Sequence, residues 1–144
     1  MSDYVLIDGD QVVYDTTFGL ATVTPLPAQL KGSGPTTLGN KPLCVDGDEA
    51  SGAVSGCMYF TSIHSIPGTG KLEIMNLALD QKALKTNSGS KFVLLLGHSF
   101  IAKFTPESPA QQPPPGPGAP IPDSTPMYVG TGSFVTTNTK FRGV

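Results

Sequence analysis

The chain has 144 residues, which fits a single domain large enough to bury a hydrophobic core. Charged residues are only 14% of it, while Gly (17) and Pro (14) are abundant, which excludes a helical bundle built on Ala, Leu, Glu and Lys. A hydrophobic share of 38% and a net charge of −2 exclude wholesale disorder.

Nine basic residues, thinly spread, leave no electrostatic footprint for nucleic acid. Met1-Ser2-Asp3-Tyr4 has no basic region followed by an apolar run, and no stretch approaches the ~20 apolar residues of a bilayer span. The expectation is a product made in the cytoplasm without a signal peptide. Cys44 and Cys57 are too few for a disulfide framework.

The predicted elements are short strands. Residues 4–7 and 11–14, joined by Asp8-Gly9-Asp10, read as an opening hairpin. Further strands are predicted at 21–24, 43–45, 57–63, 71–77, 92–96, 100–104, 127–129 and 134–140, separated by Gly, Pro, Asn and Asp clusters. Residues 76–86 also fit a short helix, with Leu77, Leu79, Ala83 and Leu84 on one face. Residues 106–126 hold nine of the fourteen prolines and read as an extended, polyproline-II-like surface loop. That loop is either a solvated connector or a docking strap, and it lies between a main body, 1–105, and a final strand unit, 127–144. The whole, 1–144, is read as one β-rich domain.

Several chemical signatures fail on inspection. Leu94-Leu95-Leu96-Gly97-His98-Ser99-Phe100-Ile101 has Ile101 where a nucleophile elbow needs Gly, and no His follows His98. Pro67-Gly68-Thr69-Gly70-Lys71 has Leu72 where a phosphate-binding loop needs Ser or Thr. Asp46-Gly47-Asp48-Glu49 continues with Ala50 at the third calcium-ligand position and reaches Cys57 at the twelfth. No nucleophile is paired with a base, so no enzyme is expected.

Gly32–Asp48 (GSGPTTLGNKPLCVDGD) opens on Gly-Ser, turns at Gly39-Asn40-Lys41-Pro42 and closes through a short strand on Gly47-Asp48. It resembles the repeat of the PAAR-like proteins that cap the spike of contractile injection machines, whether phage-tail-like particles or type VI-like systems. The Asn and Gly of the turn stand in swapped order, and Leu43 and Cys44 replace the usual small residues. A second copy is aligned from Gly89 to Phe104, with Gly89-Ser90 matched to the opening Gly-Ser and Gly97 to the turn. A third is placed at Gly130–Phe141 on glycine content and strand character alone.

The resemblance implies a small all-β domain, cone- or wedge-like, of short hairpins in pseudo-threefold arrangement with the Pro-rich loop 106–126. It implies a structural tip on a trimeric spike protein (VgrG-like or a phage central spike), one copy per trimer, aiding penetration of the target envelope. Effector cargo and transient contact with the target membrane belong to the same role, as do assembly at the tip of the injection particle and delivery to the target cell. Apolar residues near Tyr4–Tyr14 or Phe134–Phe141 are the expected base contacts. The rival reading is a β-sandwich binding or virion-decoration module for a surface ligand such as carbohydrate, although the chain has no Trp and only four Tyr.

The resemblance also implies a metal ion near the apex. Cys44, Cys57, His64 and His98 are all the Cys and His in the chain, and together they make the donor set of a tetrahedral structural Zn or Fe site. Against it, there is no C-x-x-C and no closely spaced His pair, and free Cys often packs as a small hydrophobe. Both readings stand at this point.

Overall fold

The computed structural model describes residues 3–144. The elements, in chain order, are β1 (Asp3–Tyr4), β2 (Gln11–Tyr14), β3 (Thr17–Phe18), β4 (Ala21–Thr24) and β5 (Ala28–Gln29). Then come β6 (Thr37–Leu38), β7 (Lys41–Pro42), β8 (Val54–Thr61) and β9 (Gly68–Asn76), followed by β10 (Lys82–Ser88) and β11 (Lys91–Leu94). The last are β12 (Phe100–Ser108), β13 (Gln111–Gln112), β14 (Ile121–Pro122), β15 (Tyr128–Val135) and β16 (Arg142–Gly143). Short 3-10 turns lie at Asp48–Gly52 and Leu79–Gln81.

One sheet dominates, in the order β3-β4-β8-β9-β12-β15-β2-β5. Strands β2 and β3 belong to one bent stretch, 11–18, so the sheet curls back on itself and meets along that stretch. The Asp15 amide donates to the Thr131 carbonyl on one side of the bend, and the Val23 amide to the Thr16 carbonyl on the other. The result is a barrel of three hairpins: β2/β3 with β4, β8 with β9, and β12 with β15.

Alternation along the strands places the core. Val12, Tyr14, Phe18, Ala21, Val23, Cys57, Tyr59, Leu72, Phe100, Ala102, Phe104, Tyr128 and Phe134 point inward into one cluster. A barrel this narrow needs room for its rings, and glycine supplies it. A Cβ on Gly70 would lie 2.4 Å from the Phe104 ring, and one on Gly132 2.6 Å from the Phe100 ring.

A second, smaller unit sits where the strands leave the barrel. Residues 5–7, 43–45 and 93–95 are linked by three antiparallel bridges, Val5 with Leu95, Ile7 with Leu43, and Val45 with Val93. Each segment is entered through a short antiparallel strand pair: the hairpins β6/β7 and β10/β11, and β16 with β1, which come from opposite ends of the chain. Val5, Ile7, Leu43, Val45, Val93 and Leu95 form their own buried cluster with Ala83.

The all-β class stands as expected, and several local expectations are corrected. Residues 4–7 and 11–14 do not pair with each other; 5–7 join the bridged unit, while β2 pairs with β15 and β5. The helix expected at 76–86 is a single 3-10 turn followed by β10, whose residues alternate inward and outward at Ala83 and Leu84. The Pro-rich stretch is a surface loop only in part, at its largely exposed tip, 113–120. Strand β12 runs through Pro106 to Ser108, and β13 pairs with β14 as a small arm. A single curled sheet, rather than two stacked ones, replaces the β-sandwich alternative.

Candidate functional site

The bridged unit has a pseudo-threefold hydrogen-bond ring at its centre. The Leu6 amide donates to the Leu94 carbonyl, the Leu94 amide to the Cys44 carbonyl, and the Cys44 amide to the Leu6 carbonyl, each at 2.9 Å. A second set repeats the cycle one step out, from Asp8 to Pro42 (2.8 Å), Asp46 to Phe92 (2.8 Å) and Leu96 to Tyr4 (2.9 Å). A ladder has two edges, and three short strands closed in a triangle leave neither open. Leu6, Cys44 and Leu94 are buried and face the barrel cluster.

These bonds fix which residues are equivalent. Thr37, Asn87 and Arg142 pair with Pro42, Phe92 and Tyr4; Leu38, Ser88 and Gly143 pair with Lys41, Lys91 and Asp3. The second repeat therefore lies in a different register from that expected: Gly89-Ser90 matches Gly39-Asn40, and Gly97 matches Gly47. The third repeat is not 130–141, which is β15 and the loop after it. It is split, with its outer strand in β16 and its inner strand in β1 and residues 5–7.

Each unit leaves the ring through a glycine with positive φ: Gly9 (89°), Gly47 (100°) and Gly97 (55°). In two units the following Asp closes the turn. An Asp10 carboxylate oxygen accepts from the Ile7 amide (2.8 Å), and one of Asp48 from the Val45 amide (2.9 Å). His98 holds that position in the third unit, and there the Leu95 amide donates to the Gln81 carbonyl instead. The motif's opening pair is explained by the same turn, because Ser33 Oγ donates to Asp48 (2.7 Å). Gly32 passes so close to the Pro42 carbonyl that a Cβ would lie 2.4 Å from its oxygen.

The chain then runs up one barrel strand and returns down the next. The six strands meet the ring unit at one end, where Asp10, Gly52, Leu77, Ser99, Val135 and residues 25–28 flank them. At the other end the hairpins turn at 19–20, 62–67 and 109–127, a short turn, a middle-sized loop and a long arm. The arm is held at its base. Ile66 and Gln111 exchange backbone hydrogen bonds (3.0 and 2.9 Å), and Asp123 sits buried beneath.

Asp123 accepts from the hydroxyls of Tyr59 (2.9 Å) and Tyr128 (2.6 Å) and from the Thr125 amide (2.9 Å). Burial pushes its pKa up, but these donors outweigh that and hold the carboxyl below its ordinary value. Burial and the bond to Asp123 push the Tyr59 hydroxyl the other way, to about 12, against the hydrogen bond it accepts from the Ala110 amide. Nothing in the sequence marked Asp123, which sits in a Pro-rich stretch and reads as a turn residue.

The four metal-ligand candidates do not fit one site. Cys44 is in the ring, its thiol among Leu6 and Leu94, with its pKa pushed well up by burial and by Asp48, Asp10 and Asp8. Cys57 is in β8, and its thiol leans on the Val54 carbonyl at 3.8 Å. The His64 ring lies against the Thr61 hydroxyl (3.0 Å) in the 62–67 loop. His98 is almost fully exposed with Asp80 on Nδ1 (2.6 Å), a bond that raises its pKa. Among the described residues, no three of His, Cys, Asp and Glu are grouped to hold an ion.

Closed backbone ring, apolar barrel and unequal distal loops define a pseudo-threefold, all-β structural scaffold. Over residues 1–144 the chain matches the family described as contractile injection system spike tip protein, and it belongs to that family. The role is structural, at the tip of an injection particle and in association with its spike. No curated protein matches the chain.

Proposed function

We propose that the chain caps the end of a trimeric spike, one copy per trimer, and aids passage of the particle through the target envelope. The ring of Leu6, Cys44 and Leu94 is the observation behind this reading. A single chain meets three identical spike ends equally only if it presents three equivalent surfaces, and the strand pairs β6/β7, β10/β11 and β16/β1 are equivalent in register. Closed ring and barrel leave little free strand edge, so the cap resists deformation under axial load. Delivery to the target cell, with or without effector cargo, follows from that position. Light scattering on the complex with the spike protein of the same machine checks the stoichiometry. One 15.0 kDa chain per spike trimer is expected, and three chains per trimer would refute the cap.

A further inference from the structure

Charge is sorted along the molecule. The ring segments and the strand pairs that feed them are residues 3–7, 33–45, 82–95 and 138–144. They hold six of the nine Lys and Arg but, of the eleven Asp and Glu, only Asp3. That carboxylate is occupied by backbone, accepting from the Tyr4 and Gly97 amides at 2.8 Å each. Acids crowd instead into the exits toward the barrel, Asp8 and Asp10 on one and Asp46, Asp48 and Glu49 on another. The outer strand pairs are therefore basic, beside an acidic collar.

The cations divide by partner as well. Lys71 and Lys103 pair with Glu73 on the barrel wall (3.5 and 3.0 Å), and Lys82 pairs with Asp46 of the collar (3.0 Å). Lys41, Lys85, Lys91 and Lys140 are exposed, and among the described residues none of the four is in an ion pair. They belong to one surface, because the three strand pairs pack side by side in a cycle. The β10/β11 hairpin meets the segment before β6, where the Thr36 amide donates to Ser88 Oγ (3.1 Å). Leu38 and Lys41 share a cleft with Thr139 and Lys140, just ahead of β16. The cycle closes where the Lys85 and Thr86 amides both donate to the Val144 carbonyl (2.7 and 2.8 Å).

Register repeats the charge around this cycle. Lys41 and Lys91 hold one position in two units, opposite Leu38 and Ser88. Lys85 and Lys140 hold another, each two residues before the paired Asn87 or Arg142. Every unit thus presents at least one lysine without an internal counter-charge, in a molecule of net charge −2. Like charges gathered on one face repel one another, and an opposed acidic surface relieves that repulsion. An anionic lipid responds only to the total, whereas a trimer that offers the same carboxylate three times responds to the repetition.

We propose that the ring end recognises its spike through charge, and that the trimer end it meets is acidic, each spike chain setting an Asp or Glu against a lysine of one unit. This deepens the cap reading above and rests on it. Attraction of this kind acts mainly on the association rate and is screened by salt.

Stopped-flow association of the chain with the spike protein of the same machine tests the assignment, at about 0.01 M and about 1 M salt, where the Debye length is about 30 Å and about 3 Å. Two triple variants of identical net charge isolate position from total charge. Lys41→Gln/Lys91→Gln/Lys140→Gln removes cations from the ring end, and Lys31→Gln/Lys71→Gln/Lys103→Gln removes them elsewhere. The first should associate about tenfold more slowly than wild type at low salt, with the difference closing at high salt. The second should stay close to wild type. Thermal unfolding checks that both variants are folded.

Equal slowing in the two variants overturns the proposal, as does a wild-type rate indifferent to salt. Faster association of the ring variant would make the spike end basic and overturn it too. Flotation of the wild type with phosphatidylserine vesicles, lost in the ring variant while spike association is unaffected, would assign the lysines to a lipid instead. The two readings fail separately. Three chains per trimer with charge sensitivity intact refutes the cap, and one chain per trimer without it refutes the acidic contact.

Discussion

Asn40 and Ser90 occupy the same place in two different hairpins, each following a glycine and each in a left-handed backbone, φ 66° and 69°. With Gly39 (58°) and Gly89 (62°) before them, both turns have positive φ at both central residues, the type that suits a two-residue hairpin. Asn tolerates this conformation through local hydrogen bonding and Ser tolerates it less well. Ser90→Asn is therefore expected to stabilise the chain by about 0.5 kcal/mol, and Asn40→Ser to destabilise it by a similar amount. Urea midpoints of the two variants should move in opposite directions. Movement in the same direction would mean that the two turns are not equivalent.

The barrel predicts a different sensitivity. Gly132 faces Phe100 across the β12–β15 ladder, and a Cβ there would meet the ring at 2.6 Å and the Val13 carbonyl at 2.7 Å. Backbone on one side and a packed ring on the other leave nothing flexible to yield. Gly132→Ala should cost about 3 kcal/mol, at the upper end of overpacking effects. Gly116→Ala, in open space on the arm, should be close to neutral. Thermal melts of the pair make the comparison, and equal effects would show that the close approach is not real.

How much of this was legible in the sequence depends on which interactions carried the information. The strand character of 43–45, 92–96 and 100–104 followed from local pattern, and so did the turn at 39–42. The Gly-Ser to Gly-Asp segment pointed to the right family because Gly32, Ser33 and Asp48 meet within one unit. The split third repeat was illegible because Arg142 and Tyr4 meet only in three dimensions. Hairpin logic likewise failed at Asp8-Gly9-Asp10, where a turn signal joins the ring to the barrel instead of joining two partners. Two Cys and two His suggested one ion site by their scarcity, yet the fold places them in the ring, a barrel wall and two separate loops. Asp123 was invisible because its partner Tyr59 is far away along the chain.

Those placements make a prediction about the thiols. Cys44 is fully buried among leucines, and its pKa is raised, so the reactive thiolate is suppressed. Cys57 is also buried, with burial again raising its pKa. Neither should react with a thiol reagent until the chain unfolds, and a chelator should leave the melting temperature unchanged. A drop of several degrees on chelation, with release of zinc or iron, would restore the ion that the resemblance implies.

Asp123 ties the arm to the barrel, and its titration has a definite sign. Its carboxyl is held below the ordinary Asp value, so the stability it contributes is present above about pH 4 and is lost as pH falls through the lowered folded value. Asp123→Ala removes the acceptor from Tyr59 and Tyr128 and leaves two buried hydroxyls short of a partner, at a cost of about 3 kcal/mol near neutral pH. The loss should have a local face as well, because Asp123 and the Ile66–Gln111 pair are what hold the base of the arm. Limited proteolysis of Asp123→Ala should cut first between 111 and 122, while the barrel hairpins stay protected. The variant's stability should also fall less steeply than that of the wild type on going from neutral to acid pH. An unchanged acid limb would move the titrating group elsewhere and leave Asp123 a packing residue only.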